Sequence, residues 1–248
     1  MIILKSNAEI EKMYAANQIV AEVLAYLAEK IMPDMTTDDL NRIADEMIRK
    51  KGGTPTFIGY RGYPKALCTS INEEVVHGIP GKRVLLDGDM IGVDCGVTYQ
   101  GYVGDSARTF AVGSVDAETA QLMRVTKECL DRAIQRVQVG NRIGDIGQVV
   151  QAHAESYGYT VVRDFVGHGV GRSLHEEPQV PNYGKSGEGA RIKAGLVLAI
   201  EPMINMGSAE VEVLADGWTV VTKDRKRSAH YEHSIACTVD GPRVLSLL

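Results

Sequence analysis

The chain is poor in aromatic residues, with 3 Phe and 1 Trp among 248 positions, and its uninterrupted apolar runs are short. Runs such as Leu196–Ile200 fall far below the ~20 residues that span a bilayer, so no membrane helix is expected. The first ten residues contain Lys5 and Glu9 and no apolar stretch ending in small residues, which does not read as a signal peptide. A cytoplasmic location is the expectation. Cysteine is scarce as well. Cys68, Cys95, Cys129 and Cys237 lie far apart without CxxC spacing, which argues against a zinc ribbon, a thioredoxin motif or a disulfide framework and leaves reduced thiols as the default. Nor is positive charge in excess. The 27 Lys and Arg against 32 Asp and Glu give a net charge of −5, so no broad attraction to phosphate and no sequence-specific nucleic-acid binding is expected. The one basic cluster, Lys223 to Arg227, is interrupted by Asp224 and reads as a solvated turn. Apolar residues are plentiful, at 44% of the chain against 24% charged, and that excludes disorder for the bulk of it.

The order of elements suggests a repeat. Ser6 and Glu9 form a capping box, after which Ile10, Met13, Val20, Leu24, Leu27 and Ile31 recur at helical spacing up to Pro33. Thr36 and Asp39 open a second helix, with Leu40, Ile43, Met47 and Ile48 on one face and Gly52-Gly53 ending it. A second helix pair follows. Leu122, Val125, Cys129, Ala133, Ile134 and Val137 mark its first member, and Ile146, Val149, Val150, His153 and Tyr157 its second, which stops at Gly158. Short apolar, β-branched runs separated by Gly and Pro come after each pair and read as strands. Landmarks repeat too: Asp39 stands 55 residues before Asp94, and Asp145 stands 56 before Glu201. Each half contains His-x-x-Pro, as His77-Gly-Ile-Pro80 and as His175-Glu-Glu-Pro178. Order, spacing and motif together favour an internal duplication, with halves of roughly 1–114 and 115–248, and place the active site where the halves meet.

Four carboxylates stand in strands that otherwise read as buried, where an unpaired charge is costly. Asp94 ends the run from Met90, and Asp105 begins the next strand after a Gly-rich turn. A hairpin closing near Tyr99-Gln100 is expected to set Asp94 opposite Asp105, and like charges so placed repel. Glu201 and Glu232 repeat the arrangement in the second half. Burial and mutual repulsion would raise all four pKa values, whereas one or two divalent cations would keep them ionised, so a metal site is the economical reading. His168, between glycines in Gly167-His-Gly-Val-Gly171, supplies a nitrogen donor. That Gly-x-Gly-x-Gly run has no following helix and no βαβ context, which argues against a nucleotide loop. His153, His230 and His233 read as structural. Glu74-Val-Val-His77 is a single ExxH, and a di-iron bundle needs two on helices. Four carboxylates and one imidazole can hold two ions and serve hydrolysis. The donor set allows Mn, Fe, Co or Zn.

Asp94, Asp105, His168, Glu201 and Glu232, with Gly-His-Gly-Val-Gly-Arg, His-Glu-Glu-Pro and Ile-Glu-Pro, resemble the type I methionine aminopeptidases. The segment Gly62-Tyr-Pro-Lys-Ala-Leu-Cys-Thr-Ser-Ile-Asn72 and the following Val-Val-His-Gly-Ile-Pro80 resemble the same family, and the likeness covers essentially the whole chain. The resemblance implies a single catalytic domain of mixed α/β (α+β) class. This is the pita-bread fold, a curved antiparallel β-sheet flanked by two helix pairs in pseudo-twofold halves. It further implies two divalent ions, one chelated by Asp94 and Asp105, the other bound by His168 and Glu201, and both bridged by Asp105 and Glu232. Glu201 would be the general base, His175 would stabilise the oxyanion, and His77 would contact the scissile amide nitrogen. Tyr60, Tyr63, Cys68 and Trp218 match the pocket for the methionine side chain, with Phe57 and Leu174 beside them. At Phe57 the family often has Cys, and at Leu174 often Phe, which bears on pocket size. The implied substrate is a nascent polypeptide with an N-terminal Met and a small second residue, acted on by a monomer. Ribosome contact through Lys223–Arg227 is a further expectation. The chain resembles the short bacterial form, without a zinc-finger extension, and the 33 residues from His168 to Glu201 leave no room for the type II insertion. Two other readings use the same residues: an X-Pro aminopeptidase or prolidase, and a binding module of this fold that has lost its metals.

Overall fold

The computed structural model describes residues 1–248. Three of its four helices begin where an N-cap side chain satisfies a free amide of the first turn. Helix α1 (Asn7–Lys30) and α2 (Thr37–Lys50) both open on reciprocal caps, Ser6 with Glu9 and Thr36 with Asp39. Each such cap contributes about 1 kcal/mol. Helix α3 (Ala117–Ile134) starts at Asp116, which accepts from the Thr119 amide, and α4 (Ile143–Ser156) gives way to Gly158 at φ 78°. The expected apolar faces are the buried ones: Ile10, Met13, Val20, Leu24 and Leu27 on α1, and Leu122, Val125, Cys129 and Ala133 on α3.

The first-half strands are β1 (Thr54–Pro55), β2 (Leu67–Ile71), β3 (Glu74–Val76), β4 (Met90–Tyr99) and β5 (Tyr102–Ala111). Antiparallel β4 pairs with β5 on one edge and with β1 and β2 on the other. The second half carries β6 (Thr160–Val161), β7 (Gly167–Gly169), β8 (Glu176–Val180), β9 (Val197–Ile200) and β10 (Met203–Asn205). It continues with β11 (Val211–Val213), β12 (Val220–Thr222), β13 (Ser228–His230), β14 (His233–Thr238) and β15 (Gly241–Val244). Here the main sheet runs β15-β14-β9-β7-β8, and two three-stranded sheets, β13-β10-β6 and β11-β12-β3, flank it.

One expected register is corrected. In the β4–β5 hairpin Asp94 pairs with Ala107 and Asp105 with Gly96, so the two aspartates are not directly opposed. The turn is Gln100-Gly101, at φ 51° and 78°, the left-handed pair that a two-residue type I′ turn requires. It centres the hairpin one residue later than Tyr99-Gln100 and moves every partner by two. Because the shift is even, both aspartates keep the same face as diagonal neighbours.

Each helix pair covers its own strands. A cluster including Val20, Leu24, Leu40, Ile48, Ile91 and Val93 fills the first half, and one including Leu122, Val150, Leu198, Ile200 and Ile235 fills the second. A third, with Phe57, Tyr63, Tyr102, Val170, Leu174 and Ala236, lies between them. Hydrogen bonds stitch this seam: the Glu232 amide donates to Ala107 O (2.8 Å), Ser106 Oγ to Glu232 O (2.5 Å), and Ser234 Oγ to Asp105 O (2.8 Å). Lys5 Nζ reaches Glu176 Oε2 at 2.5 Å as a buried ion pair across the same seam.

Candidate metal centre and active site

A cavity of about 590 Å³ opens at the seam, within the range typical of ligand sites. Its walls include every residue singled out from the sequence: Asp94, Asp105, His168, Glu201, Glu232, His77, His175, Phe57, Tyr60, Tyr63, Cys68, Leu174 and Trp218. Asp94 lies within β4 and Asp105 within β5, while Glu201 directly follows β9 and Glu232 directly precedes β14. Two hairpin strands and two strand ends thus aim four carboxylates at one point.

Donor atoms of Asp105, His168 and Glu232, all buried, lie within 4.8 Å of one another. His168 Nε2 is 3.8 Å from Asp105 Oδ2 and 3.5 Å from Glu201 Oε1. Asp94 Oδ1, Asp105 Oδ1 and Glu232 Oε1 are buried without a hydrogen-bond partner, a costly state for acceptors. Divalent cations fit these residues, because they supply the missing partner to each orphaned oxygen. The imidazole is prepared in the same sense: His168 Nδ1 lies 2.9 Å from Gly169 O, and an Nδ1–H donated there leaves Nε2 as a lone-pair donor facing the carboxylates. The flanking glycines serve close packing, since a Cβ at Gly167 would lie 2.5 Å from Ala199 O and one at Gly169 2.4 Å from Glu177 O.

Burial raises the pKa of Asp94, Asp105, Glu201 and Glu232 above the ordinary carboxylate range, and in Asp105 and Glu232 the neighbouring carboxylates add to it. Burial acts oppositely on the imidazoles. It holds His168 at about 3 and His77 at about 4, with neighbouring histidines adding to both, and lowers His175, helped by Arg61. All three imidazoles are therefore neutral at pH 7. His175 Nδ1 meets Tyr60 Oη at 2.7 Å, and its ring lies 4.2 Å from that of His168. His77 takes a left-handed backbone, φ 62°, with its ring edge-on to Phe165 at 5.5 Å.

The other wall is apolar and aromatic. Tyr63 and Trp218 rings meet at 4.9 Å, Phe57 stands edge-on to Tyr63 at 6.5 Å, and Leu174 and Cys68 complete it. Tyr63 Oη lies 3.0 Å from Leu67 O and 2.9 Å from Gly78 O, backbone acceptors that satisfy its proton. Burial, with Asp94 nearby, pushes the Cys68 thiol up, so it stays neutral.

Several lining residues were not read from the sequence: Arg61, Asp164, Phe165, Glu177 and Gln179. Arg61, Asp164 and Phe165 lie outside strands and α-helices and carry no periodicity that could announce them, and Glu177 and Gln179 are polar positions of the short strand β8. His230, read as structural, is fully buried with Nε2 3.6 Å from Glu201 Oε2. Its place two residues before Glu232 was the available signal. The other two are structural as expected, His153 pairing with Glu128 across α3 and α4 and His233 with Ser246.

Residues 11–239 match metallopeptidase family M24. The chain belongs to that family. The methionine aminopeptidase of Clostridium perfringens is 50% identical over 248 residues, 100% of either chain. Methionine aminopeptidase 1 of Bacillus subtilis is 47% identical over 246 residues, 99% of each. Among solved structures, the methionine aminopeptidase of Thermotoga maritima superposes with a TM-score of 0.98 at 46% identity over 100% of both chains. A prolidase from Pyrococcus furiosus, 21% identical, shares the fold with a TM-score of 0.79 over 99% of this chain and 66% of its own. The antiparallel sheets flanked by two helix pairs are thus the M24 pita-bread architecture.

Proposed function

We propose that the chain is a methionine aminopeptidase that uses two divalent ions to remove the N-terminal Met from nascent polypeptides with a small second residue. The observation that carries this reading is the convergence of four carboxylates and His168 Nε2 at one end of a cavity whose other wall is aromatic and apolar. Asp94 and Asp105 would hold one ion and His168 and Glu201 the other, with Asp105 and Glu232 shared. Mn, Fe, Co and Zn all suit such a donor set. When bound, the ions supply Lewis acidity toward the scissile carbonyl and lower the pKa of water to about 7.

The remaining work falls to the chain. Phe57, Tyr60, Tyr63, Cys68, Leu174 and Trp218 hold the methionine side chain, whose thioether suits aromatic and soft contacts. Glu201 takes a proton from the attacking water and passes it to the departing amine as the C–N bond breaks. Tyr60 Oη lies 2.7 Å from His175 Nδ1, and as donor there it would select the tautomer whose Nε2–H can stabilise the oxyanion. His77 contacts the scissile amide nitrogen. Free Met and a peptide shorter by one residue are the products.

Residues 1–248 act as one catalytic unit built from two related halves, 1–114 and 115–248. No helix is long and apolar enough to cross a membrane; a cytoplasmic location and a monomeric state belong to the same proposal. Ribosome contact would rest on the basic turn, where Lys223, Arg225 and Arg227 already face Glu210, Glu212 and Asp116.

The test is release of free Met from Met-Ala-Ser and Met-Leu-Ser by metal-stripped protein resupplied with Fe(II), Mn(II), Co(II) or Zn(II), beside Glu201→Gln. Metal-dependent release from Met-Ala-Ser alone, lost in the variant, is expected. Cleavage of Xaa-Pro peptides with no Met release would transfer the chain to the prolidase reading.

A further inference from the structure

The imidazole of His230 has no role in the reading above. It ends β13, where its backbone is clamped twice by Thr109: its amide donates to Thr109 Oγ1 at 3.0 Å, and that hydroxyl donates to its carbonyl at 2.7 Å. Residue 230 pairs with Met203 across β10, two positions beyond Glu201. The side chain is 4% exposed, and Nε2 has no hydrogen-bond partner. Buried ring nitrogens are normally satisfied. Glu201 Oε2 is the carboxylate oxygen within 4 Å of it, at 3.6 Å, and Asp94 stands farther off within electrostatic reach. The other oxygen of the same carboxylate, Oε1, faces His168 Nε2 at 3.5 Å. The two oxygens of Glu201 therefore have separate neighbours on separate sides.

We infer that His230 is a positioning residue for Glu201, donating Nε2–H to Oε2 and fixing the rotation of the carboxylate so that Oε1 stays turned toward His168 and the ion. This rests on the assignment of Glu201 as ligand and base. A separation of 3.6 Å is too long for a hydrogen bond, and closing it takes less than 1 Å of side-chain movement, the tightening expected when a catalytic site is loaded. Outer partners of metal-binding carboxylates act in this way, and their loss costs about 10–100-fold in affinity or activity.

The experiment pairs two variants with a spectroscopic reading of the unaltered protein. His230→Leu keeps the bulk and removes the donor, whereas His230→Gln returns an N–H at about the same reach. Expected with Mn(II) are a kcat about 30-fold lower in the Leu variant with KM within about threefold, and recovery to within about fivefold of wild type in the Gln variant. Equal kcat in wild type and His230→Leu would overturn the inference. So would equal impairment of both variants, which would assign the effect to ring shape. Should the Leu variant fail to fold, 15N-histidine NMR of the wild-type and Glu201→Gln proteins decides. A protonated Nε2 on His230 whose proton resonance moves in Glu201→Gln supports the contact, and an unprotonated Nε2 or an unmoved resonance refutes it. Absence of Met release by wild type would sink the functional reading instead, and the NMR result would still judge the contact.

Discussion

The two halves deliver their carboxylates by different means. In the first, Asp94 and Asp105 sit inside a continuous hairpin of two ten-residue strands closed by a two-residue turn. The two strands pair with each other along their whole length, so the relative position of the two aspartates is set by register. In the second, Glu201 and Glu232 stand at facing strand ends of β9 and β14, and the chain between them makes a long excursion through β10 to β13. That excursion brings Trp218 to the cavity and His230 against Glu201. The rigid half fixes a spacing, while the open half admits extra side chains beside the same kind of acid.

Changes to that comparison have graded effects. Asp105→Asn and Glu232→Gln, one in each half, should both lower kcat/KM by about 10³-fold or more, roughly 4 kcal/mol, with less than two ions bound by elemental analysis. Full activity in either would break the equivalence of the halves. Next is the tie across the seam. Glu176→Ala strands Lys5 in a buried site, and loss of one partner of such a pair costs about 3–5 kcal/mol. Chemical denaturation should show this, and kcat should fall with it because Glu176 Oε1 also accepts from the Arg172 amide in the loop leading to His175.

Stability should also depend on pH in a direction fixed by the site. The four cavity carboxyls have folded pKa values raised above their unfolded ones. Above about pH 6.5, where the buried histidines are neutral in both states, the folded metal-free protein binds more protons than the unfolded chain through these carboxyls, so its stability falls as pH rises through neutrality; at lower pH the depressed His77 and His168 act in the opposite sense. Added Mn(II) should stabilise more at pH 8 than at pH 5, because binding releases those protons. Thermal melts with chelator and with Mn(II) at several pH values check both slopes, and a metal-free midpoint that climbs from pH 7 to 8 would contradict them. Glu9 and Asp116, both lowered to about 2, act oppositely and only below about pH 4. The smallest effect belongs to the hairpin turn. Gly101→Val places a β-branched residue at φ 78° and should cost about 1–2 kcal/mol in denaturation, with kcat nearly unchanged if the ladder holds the register.

Much of this architecture was legible in the chain. Ser6, Glu9, Thr36 and Asp39 announced their helices because a cap is a local interaction over three residues. The four acids announced themselves because a charge within an apolar strand, as at Asp94 and Asp105, or directly at its end, as at Glu201 and Glu232, has few explanations. The hairpin register was not legible, because a displacement of the turn by one residue, from Tyr99-Gln100 to Gln100-Gly101, moves every partner by two. His230 was read as structural because its neighbour Glu201 lies 29 positions earlier.

Spacing along the chain and residue chemistry suffice to fix the helices, their apolar faces, the acids in and beside the strands, and the family. Only the tertiary structure decided which oxygens lack partners, that His168 turns Nε2 inward, that Tyr60 meets His175, and that His230 faces Glu201. Those facts depend on where strands from distant segments cross and on side-chain rotamers at the seam, and no local preference encodes either.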